Sequence, residues 1–182
     1  MPSLTSIPGC EHKVVVGIAE LAVSNNPNVV LTTYSLGSCL GLTLYDPVAH
    51  AGGLLHILLP DSTIDRAKAA ATPGMFVVTG VPELSGACYQ LGAVKQRMLI
   101  TVAGGAQIMD EGGYFNIGRR NYDALANLLN QHALRIAAEQ IGGTVNRTVH
   151  LSLSTGEVRL KVSGQAKETT LLCGNSTNTS TR

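Results

Sequence analysis

The chain has 182 residues, 45% of them hydrophobic and 14% charged, which is enough apolar material for one buried core and too little charge for wholesale disorder. Its 13 Lys+Arg offset 12 Asp+Glu to a formal net charge of +1, which argues against a nucleic-acid surface, a polybasic membrane patch or an acidic tail. With no Trp, 2 Phe and 5 Tyr, base-stacking platforms have few residues to build on.

Residues 1–12 lack periodicity and read as a flexible lead, without the basic and apolar regions of a secretory signal. Residues 13–19 read as a strand, 24–28 as a turn cluster and 29–33 as a second β-rich run. Residues 40–45 place Leu at every even position, the period-2 pattern of a strand with one face in the core. Asp46-Pro47-Val48-Ala49 has turn chemistry, and residues 52–59 return as the partner strand. Residues 80–95 read as a helix with Pro82 near its first turn, and residues 98–103 as a strand closed by Gly104-Gly105. A second long helix is predicted over 121–139, then a hairpin of residues 148–153 and 158–162 turning at Thr155-Gly156. Residues 13–165 thus form one domain, and 166–182 a flexible polar tail. The element order points to a single-domain mixed α/β fold with mainly antiparallel β-hairpins and two long helices, to which the family resemblance given below adds the layered sandwich.

No apolar run reaches the roughly 18–20 residues needed to span a bilayer. Cys10, Cys39, Cys88 and Cys173 show neither CxxC nor zinc spacing, so the thiols are expected to be reduced and the protein cytoplasmic. His12, His50, His132 and His150 are not spaced as ligand pairs, and no metal or cofactor is expected. Residues 103–106 (Ala-Gly-Gly-Ala) lack a phosphate-loop pattern and read as a tight turn. Cys88 reads as helix packing, and Arg119-Arg120 as solvated charge.

The informative segment is the hairpin around residue 47. Symmetric closure at Pro47-Val48 pairs residues whose numbers sum to 95, which makes Cys39 and His56 direct cross-strand neighbours on one face. Gly41, Thr43 and Leu54 share that face, while Leu40, Leu42, Leu44 and Leu55 point the other way. A thiol beside an imidazole is the minimum for a cysteine nucleophile, because the ring takes the thiol proton and the resulting ion pair lowers the thiol pKa. Gly37-Ser38 adds small residues and backbone N–H groups beside the thiol, where an oxyanion needs donors. The alternative is a small buried Cys and a structural strand His.

Residues 36–39 (Leu-Gly-Ser-Cys), 44–47 (Leu-Tyr-Asp-Pro) and 52–60, with His56 followed by Leu59-Pro60, resemble the chemoreceptor glutamine deamidase family, CheD. The resemblance runs on through Met75-Phe76, residues 79–82, the 103–106 turn, residues 115–121, Gly142-Gly143, Arg147 and Thr155-Gly156, covering about 13–162. It implies a cysteine hydrolase that converts glutamine side chains of bacterial chemoreceptors to glutamate, with a sandwich fold like that of the bacterial toxin deamidases. It also implies a triad of Cys39, His56 and Thr33, and the chemotaxis phosphatase CheC as a further partner. Val78 departs from the family pattern, where an Asp follows the Met-Phe pair. Methyl-ester hydrolysis on the same receptors, or a non-catalytic adaptor role, remain the alternative readings.

Overall fold

A computed structural model describes residues 11–108 and 116–174. Among the described residues, ten strands make two five-stranded sheets. The first, in the order β1-β3-β8-β9-β10, comprises β1 (His12–Val15), β3 (Val29–Leu36), β8 (Arg147–Ser152), β9 (Val158–Val162) and β10 (Thr169–Leu172). The second, in the order β2-β5-β4-β6-β7, comprises β2 (Leu21–Ser24), β5 (Ala51–Ile57), β4 (Leu40–Asp46), β6 (Leu99–Gly104) and β7 (Ala138–Ile141). Pairing is antiparallel except for β1–β3 and β6–β7. The helices are α1 (Arg66–Ala71), α2 (Val77–Gln90) and α3 (Ile117–Gln131).

The layers follow from the alternation along β4 and β5. Leu40, Leu42, Leu44, Leu55 and Ile57 meet Val77, Val81, Leu84 and Cys88 of α2 and Leu125 and Leu129 of α3. Cys39, Tyr45 and Leu54 face the other way, onto Leu31, Leu36, Val149, Leu151 and Leu160 of the first sheet. The molecule is therefore a helix layer, a central sheet and an outer sheet. Each fully buried Leu or Ile contributes on the order of 1.5–3 kcal/mol, so the β4–β5 hairpin anchors both cores.

Several expectations shift. The β4–β5 register pairs Gly41 with His56 and Asp46 with Ala51, so partner numbers sum to 97 instead of 95. The cause is a four-residue loop: Asp46 Oδ1 accepts from the N–H groups of Val48 (2.9 Å) and Ala49 (3.2 Å), and His50 takes a left-handed φ of 49°. A shift of two residues keeps every side chain on its expected face. α2 begins at Val77, which places Pro82 inside the helix, and it ends at Gln90 instead of running to 95.

The second predicted helix, over 121–139, is α3 only to Gln131. Ala133 adopts a φ of 53°, and Leu134 N–H bonds back to the Leu129 carbonyl at 2.9 Å, closing a Schellman turn. The chain then forms β7 beside β6, and Leu134 and Ile136 pack against the helix-side core as non-helical residues. β10 pairs with β9 inside the stretch expected to be tail. Residues 1–10 and 175–182, which carry most of the expected lead and the end of the expected tail, lie outside the described residues, as does Phe115.

Candidate active site

Cys39 sits immediately before β4, on the face between the sheets, and is 9% exposed. His56 projects from β5 onto the same face and is 2% exposed. Gly41 is the direct partner of His56, and Cys39 stands two residues before Gly41, one residue beyond the last ladder pair, Leu40–Ile57. Thr33 comes from β3 in the facing sheet, and its Oγ1 lies 2.7 Å from His56 Nδ1. The structure thus joins Thr33 to His56 directly across the two layers, while Cys39 shares their inter-sheet face without a hydrogen bond to the ring.

The hydrogen bonds fix the tautomer. Thr33 Oγ1 donates its one proton to the Val16 carbonyl at 2.8 Å, so toward His56 it must accept. Nδ1 therefore carries the ring proton and Nε2 presents its lone pair, and Nε2 has no hydrogen-bond partner among the described residues. Burial holds the imidazole neutral, with its pKa pushed down to about 4. Burial also raises the Cys39 thiol above its ordinary value, although the residue's own backbone N–H, directed at the sulfur, draws it partly back. The resting pair is thus thiol and neutral imidazole. The ion pair expected from the sequence is disfavoured because both charged forms lose solvent here.

Local backbone shapes the approach. One extra residue on β3 relative to β8 makes a bulge between Thr33 and Leu36, and Ser35 within it has a φ of 57°. The bulge turns the chain toward Gly37-Ser38-Cys39. Ser35, Gly37, Ser38 and Cys39 line one side of a cleft of about 480 Å³, and Ala106, Gln107, Ile108, Ile117, Gly118 and Asn146 line the rest. The 103–106 turn is packing against this loop: Gly104 has a φ of +116°, and a Cβ there would run into the Cys39 carbonyl. Gly105 N–H donates to that carbonyl at 2.9 Å, and Ala106 N–H to Gly37 at 2.8 Å. The buried Arg147 ties β8 to β7 and the turn after it by donating to Gln140 Oε1 (2.8 Å) and the Gly142 carbonyl (2.7 Å).

The remaining candidates fall elsewhere. Cys88 is fully buried on the core-facing side of α2, its thiol pushed up to about 12 by desolvation. Arg119 pairs with Asp123 on the surface of α3. His50 contacts the Tyr45 hydroxyl, His132 ends α3, and His150 bonds Thr32. Val78 is 36% exposed, beside Pro60 and Asp61. Among the described residues no group of three His, Cys, Asp or Glu side chains is placed to hold a metal ion. No described helix is long and apolar enough to cross a membrane.

Sequence reasoning passed over Asn121. It is fully buried on α3, and its Nδ2 donates to the carbonyls of Ser38 (3.1 Å) and Leu58 (3.0 Å). The signal was present: a lone polar residue on the stripe Gly118, Asn121, Leu125, Leu129.

A three-layer α/β sandwich with a thiol at the wall of a cleft and a buried imidazole–hydroxyl pair on the same inter-sheet face is the class of molecule these elements define. Comparison with known proteins places it further. Residues 58–162 match the family model described as CheD chemotactic sensory transduction, a match that begins just beyond His56. The probable chemoreceptor glutamine deamidase CheD 1 of Syntrophus aciditrophicus is 47% identical over 151 residues, which are 83% of this chain and 94% of that protein. The probable chemoreceptor glutamine deamidase CheD of Solibacter usitatus is 45% identical over 157 residues, 86% of this chain and 93% of that protein. Its namesake from Pyrococcus horikoshii is 40% identical over 151 residues, 82% and 91% respectively. The chain belongs to the CheD family.

Proposed function

We propose that this protein deamidates glutamine side chains of bacterial chemoreceptors, yielding glutamate and ammonia, with Cys39 as nucleophile, His56 as general base and acid, and Thr33 as the group that orients His56. The substrate class rests on the relatives, which are probable chemoreceptor glutamine deamidases. The observation that carries the mechanism is the relay from Val16 through Thr33 to His56, which leaves a partnerless Nε2 lone pair on the face Cys39 shares.

On this reading His56 Nε2 removes the Cys39 proton as the sulfur attacks the carboxamide carbon, so charge develops only once substrate is present. The oxyanion is received by the backbone N–H groups of Ser38 and Cys39. The tetrahedral adduct collapses as the imidazolium returns its proton to the departing nitrogen, which breaks the C–N bond and releases ammonia. Water then attacks the thioester with His56 again as base, giving the glutamate carboxylate and the free thiol. The Thr33 bond holds the ring in one orientation through both half-reactions. The sandwich is then shared with the bacterial toxin deamidases, the site of action is the cytoplasm, and CheC is the second partner.

The test is mass spectrometry of a receptor cytoplasmic domain incubated with the protein. Wild type is expected to convert receptor Gln to Glu, seen as a mass shift, with release of ammonia, and Cys39→Ala to leave conversion at background. Conversion by Cys39→Ala at the wild-type rate would overturn the cysteine-hydrolase reading in favour of an adaptor. Methanol release from methylated receptor with no ammonia from glutamine would replace deamidation by ester hydrolysis.

A further inference from the structure

We propose that Asn121 is a positioning residue for this reaction: it orients the Ser38–Cys39 peptide and ties it to the strand that carries His56. The inference rests on the Cys39 mechanism above and adds a residue from α3, whose first residues, Ile117 and Gly118, line the cleft.

The argument starts at the end of the β4–β5 ladder. Leu40–Ile57 is its last pair, so the next rung would join Cys39 to Leu58. The strands instead part there: Leu58 N–H turns away to the Met75 carbonyl at 3.0 Å, and the Cys39 carbonyl accepts from Gly105 at 2.9 Å. The two residues proposed for the chemistry flank this fork, where sheet hydrogen bonding no longer fixes one strand against the other. Asn121 fills it. One amide nitrogen spends both protons, on the carbonyl one residue before the nucleophile and the carbonyl two residues beyond the base. The orientation is chemically unambiguous, since the amide oxygen in that place would meet two carbonyl oxygens.

A second consequence comes from peptide geometry. The Ser38 C=O and the Cys39 N–H belong to one trans peptide unit and point in opposite directions. Holding the Ser38 carbonyl toward α3 therefore aims the Cys39 N–H away from it, toward the sulfur it already contacts. That N–H is one of the donors assigned to the oxyanion. Asn121 thus acts on turnover through the peptide it holds without touching substrate, since it does not line the cleft.

The experiment compares wild type, Asn121→Leu, Asn121→Asp and Cys39→Ala on a receptor cytoplasmic domain, with iodoacetamide labelling of Cys39 followed against pH. Leu keeps the apolar stripe of α3 but has no donor; Asp is isosteric but presents oxygen to both carbonyls. In each variant that unfolds cooperatively, kcat is expected to fall at least ten-fold with KM within about three-fold, since orientation of the reacting peptide is lost while the cleft is kept. The midpoint of Cys39 labelling is expected to move to higher pH. A purely structural Asn121 would lower the unfolding temperature and leave both the kcat-to-KM split and the labelling midpoint in place, and that result overturns the proposal. Failure of Cys39→Ala to abolish conversion would instead remove the underlying mechanism, so the two failures are distinct.

Discussion

β3 carries two adjacent threonines on opposite faces, and each meets a histidine Nδ1: Thr33 meets His56 at 2.7 Å, and Thr32 meets His150 at 2.9 Å. Their surroundings differ in every respect that matters for chemistry. Thr32 and His150 are direct partners across the β3–β8 ladder, on the face turned away from the second sheet. His150 Nε2 lies 3.5 Å from a Glu168 carboxylate oxygen, and the Tyr34 ring stands edge-on at 6.4 Å. Burial lowers the His150 pKa, but Glu168 pulls it partly back while Lys13, Arg159 and Lys161 push it down. Thr33 and His56 instead span the two layers, and His56 feels desolvation alone. A threonine–histidine pair is therefore not itself a site. What distinguishes His56 is a tautomer fixed by Val16, an unpartnered Nε2, and a thiol on the same face at the floor of a cleft.

The largest expected break in this contrast comes from His56→Asn, which keeps a donor toward Thr33 but removes the base. Turnover is expected to fall by about 10²–10⁴-fold, the usual worth of general acid–base assistance. Because the resting pair is neutral, Cys39 labelling in the variant should follow nearly the wild-type pH curve. A wild-type midpoint well below pH 8 that rises in the variant would restore the ion pair expected from sequence. In wild type the acid limb of kcat/KM should lie near pH 4 and not near 6.5. The sign for stability follows from linkage. Between about 4 and 6.5 the unfolded chain binds the His56 proton and the folded chain does not. Stability contributed by neutral His56 is thus present above 6.5 and is lost as pH falls toward 4, by at most roughly 1.4 kcal/mol per pH unit. Denaturation midpoints of His56→Asn should be flatter with pH across that window than those of wild type.

How far the sequence carried this site depended on parity and distance. The alternating leucines of residues 40–45 were enough to place Cys39 and His56 on one face. The loop length was wrong by two residues, and an even error leaves faces untouched. The end of α2 was misjudged although a signal was there: Gly92, at a φ of +91°, stands just beyond the Gln90 end, where a C-terminal glycine stops a helix, yet the helix was expected to run to 95. The end of α3 carried no such signal, because Ala133 takes the left-handed conformation usually given to glycine, and Leu134 and Ile136 continue a helical spacing. That same stretch hid β7 (Ala138–Ile141), just as the four-residue β2 (Leu21–Ser24) and the polar β10 (Thr169–Leu172) were too short to show a period. Thr33 was reached only through family resemblance. Its partners, Val16 and His56, are brought to it by the stacking of two sheets, which local pattern does not encode.

A smaller effect is expected from Thr33→Val, which is isosteric, leaves Nδ1–H without its acceptor and frees the ring to turn. One neutral hydrogen bond is worth about 0.5–1.5 kcal/mol, so kcat should drop by roughly three- to ten-fold with Cys39 labelling unchanged. Retention of full activity would show that packing alone orients His56.

The smallest effect, and the sharpest control, is Thr32→Val. It deletes the same type of bond from the same strand, one residue away, at a threonine equally buried. The loss of the His150 contact should lower stability by about 1 kcal/mol, seen in denaturant midpoints. Turnover should stay within about two-fold of wild type, because His150 faces away from the cleft and Cys39. If Thr32→Val slowed deamidation as much as Thr33→Val while remaining folded, the two pairs would be equivalent. The sensitivity would then belong to the rigidity of β3, and the assignment of His56 as the reacting base would lose its contrast.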